Sequence, residues 1–494
     1  MSPWSLTKKS LLLAALALNA TLNAGCSGMM RNYDSELQST TQMVAANQPE
    51  QALQILEKNN PDKQKDLLYY LEKGELLRMS RDFSASRACW MDADRVVRQW
   101  EETAKTDPAK LLGHLTSAVV NDKTRPYEGF DYEKVLLTAK IALDHIALGD
   151  WDAARVEIKK THEREAIIAE LHAKEVIQEE EEGKKRNISR DIKDLHGYPA
   201  ETLNDPQVIA LKNSYQNAFG HYLAGFVYEA LGEPGLAAPG YRQAIELRPD
   251  VPFLEQGLKD LDTRINARTG KTDVLFVVES GLAPGRHSMM IPLPIPTVGI
   301  VSISFPVIAK NPSASYNPAS LTIGDGSSVG LSAVTSVDAM ARRALRDELP
   351  GILLRSAIRA TLKGVTQKKL GDQNALLGLA VMVAGVVTES ADERSWRTLP
   401  ATISLGRVAL KPGLHDLGVP GAAGKPLSVE VSGRHQVVHL RMVDRGIYLA
   451  STPGASHGAL LPPADHGNKT QEASPGKSER RKNDSSKPTK EKNP

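Results

Sequence analysis

Histidine spacing is the first test for metal or proton-transfer chemistry in this sequence, because imidazoles must converge to share an ion or a proton. His435 and His439 lie four apart on a predicted strand, which separates them by about 13 Å. His162 and His172 lie ten apart on a predicted helix, about 15 Å along its axis. Neither pair can share an ion, so the sequence predicts no metal site and no cofactor.

The usual nucleophile and phosphate-binding motifs are missing from the sequence. No serine lies in a Gly-x-Ser-x-Gly elbow. The segment "GDGSSVG" (324–330) lacks the lysine of a phosphate loop and is interpreted as a turn. The polar run 392–394 beside Trp396 is interpreted as the entry to a strand. We therefore predict a protein that is not an enzyme and has no small-molecule substrate; an enzyme whose site is assembled by folding is the alternative.

A basic stripe is the one candidate for ligand binding on a helix. Arg355, Arg359 and Lys363 follow one another at four-residue steps and share a predicted helix face. An anionic headgroup or glycan could bind there. The alternative is a solvated helix edge whose aliphatic stems cover apolar neighbours.

Cys26 is the residue with the clearest chemistry. It follows two lysines, the apolar run 11–18 and the small residues Ala24 and Gly25. This order is typical of a cleavable secretory signal, and the apolar run is too short to span a bilayer. A conventional secreted protein and an uncleaved anchor are the alternatives to lipidation.

The segment ending in Ala24-Gly25-Cys26 resembles a bacterial lipobox, in which the cysteine sulfur receives a diacylglycerol and cleavage falls before the cysteine. The resemblance implies a signal peptide over 1–25, lipidation of Cys26 and stable membrane attachment through acyl chains. Ser27 follows the cysteine, which by the same resemblance implies the periplasmic face of the outer membrane of a Gram-negative bacterium.

Composition places the rest of the chain among ordinary globular proteins. Its 494 residues are 41% hydrophobic and 24% charged, enough for several domains. The net charge of +2 and the 5% of aromatic residues give no reason to expect nucleic-acid binding. Cys89 is the only other cysteine, so no disulfide framework is expected.

The N-terminal half contains three similar segments, which begin at Tyr70, Thr138 and His221. Each has small and aromatic residues at the spacing of a tetratricopeptide repeat, in which two antiparallel helices pack closely. We predict an all-α, tetratricopeptide-like domain over 26–268. Its function is either a concave peptide-binding groove or a spacer. The residues predicted to pack within the pairs are Gly74, Trp90, Ala93, Ala142, Trp151, Ala154, Gly225, Tyr228, Ala237, Tyr241 and Ala244.

The pattern changes after residue 268, and we predict a mixed domain over 269–451, which makes the fold class α+β. The run 273–280 predicts a strand buried on both faces. Prolines in the apolar segment 289–309 exclude a helix and a central strand, so it either packs on the repeat or forms an exposed patch.

Further along, two helices separated by Pro350 are predicted. Alternating residues over 427–442 predict an antiparallel hairpin with one buried face. The polar residues 452–494 predict a disordered tail.

The segments "GLAPGR" (281–286), "ALRDELPGILLRSAIRATLK" (344–363) and "DERSWRTLPATISLGRVALKPGLHDL" (392–417) resemble a family of proteobacterial lipoproteins with tetratricopeptide-like N-terminal halves. That family has no established catalytic residues. The resemblance implies a role in the cell envelope, as a scaffold or regulator of other envelope proteins. An envelope enzyme acting on cell-wall glycan or peptide is the alternative.

Overall fold

The computed structural model describes residues 33–110, 126–186, 188, 191, 195, 197–295, 299–311, 317–373, 391–420, 422, 426–444, 446–452 and 455–460. Only the backbone is described at 34, 293–295, 299–300 and 362–373. Cys26, the predicted signal segment 1–25 and the residues beyond 460 lie outside the described residues. Among the helices described, none is both long and apolar enough to cross a membrane.

Helices make up the N-terminal half. They are α1 (Tyr33–Ala45), α2 (Pro49–Asn59), α3 (Leu67–Met79), α4 (Phe83–Thr106), α5 (Asp131–Ala147), α6 (Trp151–Arg186), α7 (Pro206–Ile209), α8 (Ala218–Ala230), α9 (Pro234–Leu247), α10 (Glu255–Leu258) and α11 (Leu261–Asn266), with short 3₁₀ turns at Ala200–Thr202 and Pro252–Leu254. The three predicted helix pairs are the hairpins α3–α4, α5–α6 and α8–α9. A further hairpin, α1–α2, was not predicted.

Strands and one long helix make up the C-terminal half, and the chain is therefore an α+β protein. The elements are β1 (Thr272–Ser280), β2 (His287–Ile295), β3 (Gly299–Val307), β4 (Ser320–Ile323), β5 (Ser328–Gly330), β6 (Ser332–Ser336), α12 (Val337–Gln373), β7 (Thr402–Leu410), β8 (Gly413–Gly418), β9 (Leu427–Val431), β10 (His435–Val443), β11 (Gly446–Leu449) and β12 (Ser456–His457). The strands form a central sheet in the order β11-β10-β1-β7-β6, in which β12 also pairs with β10, a sheet β5-β4-β8-β9 and the hairpin β2-β3.

The central sheet is the middle layer of three. Val274, Phe276 and Val278 of β1 face the four-stranded sheet, while Leu275 and Val277 pack into the core shared with the helices. The strand predicted to be buried on both faces is therefore confirmed. All neighbouring pairs in this sheet are antiparallel except β1 and β10, which run parallel.

The prediction of two helices separated by Pro350 is wrong, because α12 runs without a break through that proline. A proline inside a helix removes one hydrogen bond and costs about 3 kcal/mol. Leu349, Leu353 and Leu354 are all buried on either side of it. Burial of this continuous apolar surface offsets the cost of the proline.

The predicted hairpin over 427–442 is also wrong. Its two strands belong to different sheets: β9 pairs with β8, whereas β10 pairs in parallel with β1. The alternation of polar and apolar residues in β10 suggested one solvated face, yet the whole strand is buried. Two of its polar side chains have charged partners in the interior: His439 contacts Arg78 and Glu279, and Arg441 contacts Glu75.

The apolar segment 289–309 forms most of the two-stranded hairpin β2-β3, outside the central sheet as its prolines predicted. Ile303 and Phe305 lie in the main core, and the carbonyl of Pro306 accepts a hydrogen bond from Tyr198 Oη at 2.8 Å. Met290, by contrast, is 52% exposed. The segment therefore has a packed face and an exposed one.

The expected start of the disordered tail at 452 is too early. Ala455 is buried, and β12 pairs with β10 through His457 and Ser456. The hydroxyl of Thr452 also bonds to the carbonyl of Ala147. The folded structure therefore continues to at least His457.

Candidate functional site at the junction of helices and sheet

All the residues predicted to pack within the three helical hairpins are buried. They are Gly74, Trp90, Ala93, Ala142, Trp151, Ala154, Gly225, Tyr228, Ala237, Tyr241 and Ala244. Two glycines mark the closest approaches. A Cβ on Gly225 would lie 2.6 Å from the ring of Tyr241, and one on Gly74 would overlap the indole of Trp90.

The first helices of the three hairpins are buried against the C-terminal half. In α5 every residue from Tyr132 to Ala147 is buried, and in α8 only Gly220 and Ala230 are not. The partners of these helices include β1, β7 and β10 of the central sheet. The inner face of the helical half is thus occupied by the chain's own sheet, and a peptide cannot bind there.

Buried charges connect the two halves at the middle of this junction. Lys140 of α5 places its Nζ 3.0 Å from Glu75 Oε2 of α3 and 2.7 Å from Glu279 Oε2 of β1. Nε of Arg441 on β10 lies 3.3 Å from Oε1 of Glu75. All four side chains are at most 1% exposed. Such charges are tolerated in an interior only when they are paired in this way.

A second set of contacts extends the network. Arg78 of α3 pairs with Asp144 of α5, and its Nη2 lies 2.7 Å from Nδ1 of His439. His439 Nε2 lies 3.1 Å from Glu279 Oε2. The network of these seven side chains therefore holds two helices and two strands together.

Burial and charge set the protonation states in the network. Burial acts to raise the pKa of Glu279, but Lys140, His439 and Arg441 together outweigh it, so that this pKa lies well below its ordinary value. Burial lowers the pKa of His439 to about 4, so its imidazole is neutral near pH 7. Burial raises the pKa of Asp144 to about 6, although the charge of Arg78 opposes this.

A second junction contact joins the helices to the segment before β7. Glu72 of α3 accepts hydrogen bonds from the backbone N–H groups of Arg397, at 2.6 Å, and Thr398, at 3.2 Å. Glu133 of α5 accepts one from the N–H of Trp396 at 2.7 Å. Trp396 is fully buried, as expected for packing at the entry to a strand. Burial raises the pKa of Glu72 to about 7.

A cleft of about 280 Å³ opens at one end of the junction. At its inner wall Arg407 donates to Asp273 at 3.0 Å and to Glu229 at 2.8 Å. His435 is 4% exposed, and its Nδ1 has no hydrogen-bond partner. Burial lowers the pKa of His435 to about 4. The ionisable residues that line the cleft are Arg264, Lys271, Asp273, Arg407, Arg434 and His435.

The chemistry of this cleft suits an anionic ligand. Four of its lining side chains are cationic, one is a carboxylate and one is a neutral imidazole. Guanidinium groups bind carboxylates and phosphates through paired hydrogen bonds. Sequence spacing did not point to the cleft, since its residues come from three strands and the end of the helical half.

The predicted basic stripe is not a set of three free cations. Arg355 lies 3.5 Å from Glu179 of α6, through its Nη1, and is 16% exposed. Arg359 donates to the hydroxyl of Ser356 at 3.2 Å. The side chain of Lys363 lies outside the described residues. Arg355 thus contributes to packing between α12 and α6.

Two groups of side chains in the described part of the chain have the geometry to hold a metal ion. One is Glu229, Asp273 and His435 in the cleft, and the other is His162, Glu165 and His221 between the second and third hairpins. The prediction of no metal site considered His162 only with His172 on its own helix. The convergence with His221 depends on the packing of two hairpins, which spacing along one helix cannot reveal.

A sequence signal for the junction did exist. Glu72, Glu75 and Arg78 in α3, and Lys140 and Asp144 in α5, lie three or four residues apart within otherwise apolar helices. Charges at helical spacing inside an apolar helix indicate a buried polar face. Comparison of the chain with family models, curated proteins and solved structures gives no match.

Proposed function

We propose that this protein is a lipoprotein anchored through Cys26 at the periplasmic face of the outer membrane, where it acts as a scaffold or regulator of other envelope proteins. The apolar run and Ala24-Gly25 before Cys26 support the anchor. The likeness of its segments to proteobacterial lipoproteins supports the location. Three helical hairpins at tetratricopeptide-like spacing support a role in protein binding.

One observation defines how such a scaffold works: the protein's own sheet covers the inner helices α3, α5 and α8. The helical half then holds the C-terminal half in a fixed position. Partners contact the exposed surface of that C-terminal half, where Met290 is 52% and Leu414 73% exposed. Burial of these side chains against a partner is favourable, because it removes apolar surface from water.

The anchor is tested by fractionation of wild type and Cys26→Ser. We expect wild type in the outer-membrane fraction and the variant in the soluble periplasm. Recovery of wild type in the soluble periplasm would overturn the proposed anchor.

The partner surface is tested by site-specific photo-crosslinking in cells, with the probe at Met290 or Leu414. The matched control carries the probe at Val156, a 53% exposed apolar residue on α6 of the helical half. We expect discrete adducts with envelope proteins from 290 or 414 and none from 156. Adducts from 156 alone would show that the helical half, not the C-terminal half, contacts partners.

A second candidate function is an envelope enzyme acting on cell-wall glycan or peptide. The cleft favours it, since a neutral imidazole with an unbonded nitrogen, His435, lies beside Asp273 and several cations. A neutral histidine can serve as a general base. Incubation of the purified protein with cell-wall sacculi should then release soluble fragments, and His435→Asn should abolish the release. No release by wild type would exclude this candidate.

A further inference from the structure

Two histidines and a glutamate converge where the second and third hairpins meet. His162 and Glu165 lie three residues apart on α6, and His221 lies on α8. One ligand atom from each residue lies within 4.8 Å of the others. We propose that these three residues form a binding site for a divalent transition-metal ion, with zinc the best match to the donor atoms.

The polar atoms at the centre of this group lack hydrogen-bond partners. His221 is 2% exposed, yet neither of its ring nitrogens makes a hydrogen bond. Oε1 of Glu165 has no hydrogen-bond partner either, although it lies 3.2 Å from His221 Nε2. Buried polar atoms are nearly always satisfied. A cation held between imidazole and carboxylate satisfies both.

The glutamate is already oriented for this role. Its second oxygen, Oε2, accepts a hydrogen bond from Gln216 Nε2 at 3.2 Å. Gln216 is held in turn by Asn213, whose Nδ2 donates to Gln216 Oε1 at 2.7 Å. Outer hydrogen bonds of this kind fix metal-binding carboxylates in place. Oε1 of Glu165 is left to face the histidines.

The charges around the group favour a cation. In the described part of the chain, no lysine or arginine forms an ion pair with Glu165. The rings of the two histidines lie 5.0 Å apart, measured between centroids. At this distance the two rings are close enough to contribute donor atoms to one ion.

The second group with metal-binding geometry does not have these properties. Both carboxylates of Glu229 and Asp273 are paired with Arg407, and Glu229 also pairs with Arg264. Guanidinium charge at that position repels a metal ion. The group of His162, Glu165 and His221 is therefore the better site.

Two nitrogens and one carboxylate oxygen match a zinc site with one open position. Zinc binds such ligands at about 2.0–2.2 Å in a tetrahedron, and three protein ligands leave the fourth position for water. His162 is exposed, so the open position faces solvent. Because the ligands come from α6 and α8, bound zinc also links the second and third hairpins and stabilises the fold.

The test uses the detergent-solubilised full-length protein after removal of metal with a chelator. Zinc is titrated in competition with a chromophoric chelator, for wild type, His162→Ala and Glu165→Gln. The matched control is His415→Ala, because His415 is a half-buried histidine on β8, remote in sequence from the group. We expect one zinc per chain, an affinity at least about tenfold lower in the two ligand variants and no change in the control.

Cobalt gives a second readout. We expect cobalt-loaded wild type to show the visible absorption band of tetrahedral cobalt, and His162→Ala to lack it. Zinc should raise the Tm of wild type but not that of His162→Ala. His162 is exposed, so its replacement leaves the fold intact. Failure of wild type to take up zinc against the chelator, or equal zinc affinity in wild type and His162→Ala, overturns the proposal.

Discussion

Gly225 has no room for a side chain, because the ring of Tyr241 lies against it and Tyr241 is fully buried. The Tyr241 hydroxyl is fixed by a hydrogen bond to Glu229 at 2.6 Å, so the ring cannot move aside. Gly225→Leu should therefore lower the free energy of unfolding by about 1–3 kcal/mol, measured by urea unfolding. Gly74→Ala should do the same, since its Cβ overlaps Trp90 more closely still.

Gly235 is the matched control in the same hairpin. A Cβ added there has no neighbour within 4 Å, so Gly235→Ala should be neutral or raise stability by up to about 1 kcal/mol. An unchanged urea midpoint for Gly225→Leu would contradict the close packing. The repeat spacing pointed to Gly74 and Gly225, but not to Gly240, whose Cβ would lie 2.8 Å from the backbone nitrogen of Gly225.

His439 should make stability depend on pH in the acid range. Burial lowers its folded pKa to about 4, below the ordinary value of 6.5. The unfolded chain therefore binds a proton between these values that the folded protein does not. The stabilisation is present above pH 6.5 and is lost as the pH falls toward 4. As the pH falls from 7 to 5.5, this group alone lowers the free energy of unfolding by about 1 kcal/mol.

The measurement compares urea unfolding of wild type and His439→Gln at those two pH values. The stability advantage of wild type should shrink by about 1 kcal/mol at the lower pH, because glutamine does not titrate. Equal changes in the two proteins would mean that the imidazole is already charged in the fold.

Among the elements, β12 extends the folded structure beyond residue 452. The carbonyl of His457 accepts a hydrogen bond from the N–H of Arg434 at 3.0 Å, and the His457 ring lies 5.5 Å from that of Trp151. Truncation after Ser451 should therefore lower Tm by several degrees, whereas truncation after Leu460 should leave it unchanged. Equal Tm values for the two truncations would show that β12 adds no stability.

Local patterns predicted the elements whose own residues carry the whole signal. The three hairpins and the doubly buried β1 follow from spacing and from an apolar run. The patterns failed for α12 and β10, whose surroundings come from distant parts of the chain. Pro350 is tolerated because buried leucines flank it. The polar face of β10 is buried because Glu75 of α3 and Glu279 of β1 supply its counter-charges.

Lys140 should be the most sensitive charge for the molecule as a whole. Lys140→Met leaves Glu75 and Glu279 buried without their shared cation, which should cost about 3–5 kcal/mol of unfolding free energy. Lys174→Met removes an exposed pair with Glu170 on α6 and should leave stability unchanged.

A double variant separates charge from packing. Lys140→Met combined with Glu279→Gln also removes the negative charge of Glu279, one of the two carboxylates that lost Lys140. The double variant should therefore recover part of the lost stability. Denaturant unfolding of all three variants measures this. If the double variant is less stable than Lys140→Met, the loss comes from packing and not from charge.

The place of β10 in the central sheet also has a consequence for biosynthesis. The strand lies beside β1, although the parallel pair Asp273 and His435 is separated by most of the C-terminal half. A nascent chain that has emerged only as far as β9 lacks β10, which is one of the two neighbours of β1 and carries His439 and Arg441. Until then Glu75 lacks Arg441 and Glu279 lacks His439, so the junction has only the ion pairs made by Lys140 and Arg78. Completion of the fold thus waits for the last strands to be translated, and stalled or truncated products are exposed to proteases.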